Sequence, residues 1–97
     1  MFSNMKAELL LDERHILAED AFVEVVVWRL PQPTRGSAHG FKYRLALIER
    51  GVCALRYDNE AGKGDHRHIG NSETPYRFVS AEKLLADFWR DVSARRK

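Results

Sequence analysis

Between Tyr57 and His68 the chain reads Tyr57-Asp58-Asn59-Glu60-Ala61-Gly62-Lys63-Gly64-Asp65-His66-Arg67-His68. A hydrophobic core has no use for such a segment. Imidazole titrates near neutrality, so two of them can act as proton donor and proton acceptor. In an extended stretch side chains alternate, which predicts His66 and His68 on one side and Asp65 and Arg67 on the other. Gly62 and Gly64 permit a sharp turn around Lys63, whose ammonium and neighbouring amides suit an anionic oxygen. Arg67, with Arg44 or Arg56 from adjacent strands, can hold non-bridging phosphate oxygens through a planar fork. Together these groups suit metal-independent cleavage of an RNA phosphodiester. One histidine deprotonates the 2′-hydroxyl, the cations stabilise the crowded phosphorane, and the other histidine protonates the leaving oxygen. Asp58 orients one ring. Lys42, Arg44 and Arg56 form the RNA-binding face, and Tyr76 offers a hydroxyl or a platform for a base.

Other readings of the same residues stay open. The two imidazoles, completed by Asp58 or Asp65, can ligate a metal and make a metal-dependent nuclease. The basic residues Lys42, Arg44 and Arg56 can bind RNA or protein without any turnover. The plainest alternative is a tight turn at Asp58-Asn59, with His66 and His68 in surface ion pairs with Glu60 or Glu73. Gly62-Lys63-Gly64 is not a P-loop, because the preceding glycine, the following Ser/Thr and the helix are absent. His15 and His39 read as surface or loop residues, and Cys53 as a small buried hydrophobe.

The elements that position these residues are mostly strands. Residues 6–11 read as a first strand, Asp12-Glu13-Arg14 as a turn, and His15-Ile16-Leu17 as a short return strand. Phe22–Leu30 is rich in β-branched and aromatic residues and predicts a long strand, stopped by Pro31 and Pro33. In Phe41–Glu49, Phe41, Tyr43, Leu45 and Leu47 share one face, while Lys42 and Arg44 share the other. Arg50-Gly51 is a hairpin turn into Val52–Tyr57. A further short strand is expected at Arg67–Ile69, with Pro75 in a second loop. Ser80 is an N-cap for a helix ending near Ser93, with Ala81, Leu84, Leu85, Phe88, Trp89 and Val92 on its apolar stripe. The expected class is α+β: a twisted antiparallel meander packed by one C-terminal amphipathic helix.

Ninety-seven residues allow one domain, 1–97, with a modest core, and a homodimer would bury further apolar surface. No apolar run approaches the roughly 20 residues of a membrane helix, and the N-terminus lacks the apolar stretch of a signal peptide. Cys53 has no second cysteine to pair with, which points to a reducing cytoplasm. Residues 1–31 hold three cations and six anions, whereas residues 32–97 hold thirteen and eight. The basic centre and tail suit a polyanion.

Several of these stretches also resemble a known family. His39-Gly40 followed by Phe41-Lys42-Tyr43, then Tyr57-Asp58-Asn59-Glu60 with Gly62-Lys63-Gly64-Asp65-His66-Arg67-His68, Pro75-Tyr76-Arg77-Phe78 and Leu84-Leu85-Ala86-Asp87-Phe88 are similar to the TumE family. The likeness runs from about Lys6 to Val92. It implies a toxin of a prokaryotic type II toxin–antitoxin module, neutralised by a small helix-turn-helix partner.

Overall fold

The structure, a computed structural model, describes residues 7–32, 39–60 and 64–97. Six strands form one antiparallel sheet in chain order: β1 (Glu8–Ala18), β2 (Ala21–Arg29), β3 (Phe41–Glu49), β4 (Val52–Asp58), β5 (His66–Ile69) and β6 (Ser72–Pro75). One helix, α1 (Ala81–Arg95), packs against a single face. The expected meander and C-terminal helix are therefore present.

Strand alternation sorts the side chains. On the helix side, Val27 faces Tyr43, Val25 faces Leu45 and Val23 faces Leu47 across β2 and β3. Leu45 and Leu47 in turn face Tyr57 and Leu55 of β4. Leu84, Phe88 and Val92 of α1 close this layer, and all of these side chains are buried. Ser80 begins the helix as expected, its hydroxyl accepting from Lys83 N at 3.0 Å. The intervening strand positions (Glu24, Lys42, Arg44, Arg56, Asp58, His66 and His68) point to the opposite face. Among the described residues no helix or strand covers that face.

Three expectations need correction. Asp12-Glu13-Arg14 does not turn; β1 is a single strand of 11 residues paired with β2 along its length. It is an edge strand, where charged side chains stay solvated and oppose pairing with another chain. The reversal falls later, between Ala18 and Ala21. Pro75 does not lie in a loop but ends β6, an exposed edge strand in which proline need not donate to a ladder. Finally, α1 runs two residues past Ser93, to Arg95.

The β3–β4 hairpin fits its sequence. Arg50 and Gly51 have φ of 52° and 77°, the left-handed pair that a two-residue turn matched to the strand twist requires. At the far end of β4, Asn59 replaces the missing ladder partner. Its Oδ1 accepts from Tyr43 N at 3.0 Å and its Nδ2 donates to Phe41 O at 2.6 Å. Asn59 is fully buried, so it ties the start of β3 to the exit of β4 just where the polar cluster begins.

Candidate functional site

The β4–β5 register places Asp58 opposite His66 and Arg56 opposite His68, and the β5–β6 register places His68 opposite Glu73. The two imidazoles share the uncovered face, their ring centroids 5.3 Å apart in an edge-on arrangement. Both Nε2 atoms converge on one carboxylate oxygen: Glu73 Oε2 lies 3.4 Å from His66 Nε2 and 3.2 Å from His68 Nε2. Asp58 Oδ1 approaches His66 Nε2 to 2.6 Å, while Asp58 Oδ2 lies 3.2 Å from Arg56 Nε. Neither approach has hydrogen-bond alignment, so Asp58 Oδ1 and Arg56 Nε are buried without a hydrogen-bond partner.

The proton positions follow from the partners. His66 Nδ1 lies 3.0 Å from Gly64 O. A carbonyl can only accept, so Nδ1 carries the hydrogen. His66 Nε2 then faces two carboxylates, and a bare lone pair there would repel both. His68 is the more accessible ring, its side chain 28% exposed against 9% for His66. One buried and one accessible imidazole therefore stand side by side.

Of the residues expected to act, His66, His68, Asp58, Arg56, Arg44 and Lys42 do share this face. Arg44 pairs with Glu24 at 3.5 Å, and Lys42 lies opposite Trp28. Arg67 is not with them. It points to the helix side, as alternation demands, where its guanidinium donates to Asp91 at 3.3 Å. Tyr76 is also on the helix side: its hydroxyl donates to Asp87 at 2.6 Å and its ring packs edge-on to Tyr57. Neither faces the two imidazoles. Lys63 lies outside the described residues.

Asp65 is likewise turned away from the imidazole pair. It accepts from the Tyr43 hydroxyl at 2.7 Å and from His39 Nε2 at 2.8 Å, because His39 Nδ1 already accepts from Phe41 N. His39 lies in the β2–β3 loop, as expected, but is half-buried there, stacked on Phe78 at 3.7 Å. Burial, and then the neighbouring Asp65, push the Tyr43 phenol well above its ordinary value. Only the aromatic character of Phe41, Tyr43 and Phe78 hinted at this cluster, since His39 and Asp65 lie 26 residues apart.

Helical periodicity gives Asp87 no distinct signal, since it sits among the charged positions of an amphipathic helix. It is buried beneath Tyr76, which donates to Oδ2, and it pairs with Lys83 at 2.9 Å and Arg90 at 3.3 Å. The Tyr76 hydrogen bond, helped by Lys83 and Arg90 and opposed by burial, holds its carboxyl below the ordinary value of 3.8. A depressed folded-state value stabilises the fold above the ordinary value, and that contribution is lost as pH falls through the depressed one. Asp87→Asn is expected to cost about 1–3 kcal/mol at pH 7 by weakening this network. It should also flatten the loss of stability below about pH 4. Urea unfolding at pH 7 and at pH 3 checks both; an unchanged midpoint at pH 7 refutes the expectation.

The fold is thus an α+β meander with an imidazole–carboxylate cluster on its uncovered face. A family model described as Toxin TumE matches residues 6–96, nearly the whole chain. The chain belongs to this toxin family, which makes it the toxin of a toxin–antitoxin module and implies an antitoxin partner. No curated protein and no solved structure matches it. No helix among the described residues is long and apolar enough to cross a membrane.

Proposed function

We propose that this toxin is an endoribonuclease that uses His66 and His68 as an acid–base pair, acting on RNA in the cytoplasm until a helix-turn-helix antitoxin neutralises it. One observation carries the reading: both Nε2 atoms converge on a single anionic oxygen, that of Glu73. A non-bridging oxygen of a scissile phosphate is an anionic oxygen of similar size. Glu73 is on the edge strand and its side chain is 38% exposed, so a substrate can take the carboxylate's place.

The residues then divide the work. His68, the accessible ring, takes the proton of the ribose 2′-hydroxyl. The 2′-oxygen attacks phosphorus, and the bond to the 5′-oxygen breaks. His66, holding a proton at Nε2, gives it to that leaving oxygen. The products are a 2′,3′-cyclic phosphate and a 5′-hydroxyl, with one proton moved from His66 to His68. Asp58 holds His66 in its protonated orientation. Arg56, beside His68 in the register, and Arg44 with Lys42 further along the face, hold the phosphate backbone. No metal takes part in these steps.

End-mapping of an RNA oligonucleotide incubated with the purified protein tests this. Fragments ending in a 2′,3′-cyclic phosphate, formed equally with and without EDTA, are expected. RNA left uncut by folded protein, with His66→Ala and His68→Ala as toxic in cells as the wild type, rules the reading out. Binding without cleavage that weakens most when Arg44 and Arg56 are neutralised would instead mark a non-enzymatic RNA-binding surface.

A further inference from the structure

The lone pair of His66 Nε2 has a second solution besides a proton. We propose that His66, His68 and Glu73 form a binding site for a divalent first-row ion of the zinc type, and that the ion closes the site.

Two of the three ligand separations already have the length such an ion needs. One ligand atom from each of His66, His68 and Glu73 lies within 4.8 Å of the other two. Zinc–nitrogen and zinc–oxygen bonds of about 2.0–2.2 Å in a tetrahedron imply ligand-to-ligand edges of about 3.3–3.6 Å. The two Nε2–Oε2 separations are 3.4 and 3.2 Å, close to that length, so little backbone movement is required. Two nitrogens and one oxygen favour zinc-like ions over magnesium or calcium, which prefer all-oxygen shells.

The surroundings point the same way. The Gly64 carbonyl takes the Nδ1 hydrogen of His66, leaving Nε2 as the donor and fixing the ring's orientation, which is the usual outer support of a metal-bound histidine. Asp58 Oδ1 is buried, aimed at this point and without a hydrogen-bond partner. At 2.6 Å from His66 Nε2 it is too close to serve as a further ligand in its present position. It supplies instead a second negative charge beside Glu73, so that two carboxylates balance a divalent ion. The ligands come from neighbouring antiparallel strands, His68 directly opposite Glu73, so the ladder holds their spacing.

Binding follows from this geometry alone. Inhibition rests also on the acid–base reading, because a ring nitrogen bonded to zinc can neither give nor take a proton.

Zinc sulfate titrated into the untagged, EDTA-stripped full chain, in competition with a chromophoric zinc indicator, measures the binding. One ion per chain with a dissociation constant in the micromolar range or tighter is expected. His68→Ala and Glu73→Gln, both partly exposed, should each weaken it by about tenfold or more while leaving the circular dichroism spectrum unchanged. Magnesium should not compete. Failure of the wild type to bind zinc at about 100 μM, a concentration that detects any useful affinity, overturns the site. So does equal binding by both variants. An RNA-cleavage assay separates the two claims. Inhibition by zinc, relieved by EDTA, supports closure. Cleavage that requires zinc refutes closure and the metal-free mechanism, while the binding result stands. Zinc binding with no cleavage under any condition supports the site and refutes the nuclease reading.

Discussion

His66→Ala and His68→Ala are each expected to lower RNA cleavage by about 10²–10⁴-fold, the usual contribution of a positioned general acid or base. The double variant should be little worse than the weaker single one, since two groups serving one proton transfer act as a unit. The rate of the wild type should follow a bell-shaped pH profile, because one ring must hold a proton while the other lacks one. Each single variant should lose one limb of that bell. Such a profile belongs to the coupled pair and not to either ring. His66 is buried against Asp58, so its alanine variant leaves a buried carboxylate facing an empty space. His66→Asn keeps a polar group there and serves as a second variant, and circular dichroism confirms that each protein is folded. Folded variants that cleave at the wild-type rate, with an unchanged profile, remove both rings from the chemistry.

Asn59→Ala is expected to produce the largest loss of stability. The buried side chain satisfies two backbone groups of β3, the Tyr43 N–H and the Phe41 carbonyl, as a ladder neighbour would. Alanine leaves both unpaired in a place water reaches poorly. Each orphaned group costs about 1–3 kcal/mol, so the substitution takes several kcal/mol from a fold of ordinary stability, about 5–15 kcal/mol. Asn59→Asp should be nearly as damaging, because a carboxylate cannot donate to the Phe41 carbonyl. Urea unfolding followed by tryptophan fluorescence measures both. A change below about 1 kcal/mol for the alanine variant would show that the two backbone groups find other partners. The same substitution loosens the exit of β4 beside Asp58, so cleavage should fall along with stability.

Strand and helix periodicity was plain in the chain. Phe22–Leu30 and Phe41–Glu49 became β2 and β3 almost to the residue, because β-branched and alternating apolar residues satisfy one buried face. The misread segments were edge strands. In β1 and β6 most side chains are exposed, so apolar alternation, which records burial, is faint or missing. Charges in β1 and a proline in β6 then look like loop signals. The cluster was partly legible for the same reason. The two-residue period put His66 and His68 together and Arg67 apart from them, yet Arg67 was still grouped with them on its chemistry alone. Tyr76 carried no such signal, since nothing local says that its hydroxyl meets Asp87.

What local pattern specified here is the class of fold, the pairing of His66 with His68 on one side, and the helix cap at Ser80. These depend on backbone geometry within a few residues, which is the same wherever the segment is placed. Strand register belongs to the folded chain. It set Asp58 against His66 and Glu73 against His68. It also gathered His39, Tyr43 and Asp65 into a separate cluster on the helix side of β3. Contacts between residues far apart in the chain exist only once the apolar faces of β2, β3, β4 and α1 have closed on each other. Closure of that layer selects one register from several that the strands alone would tolerate.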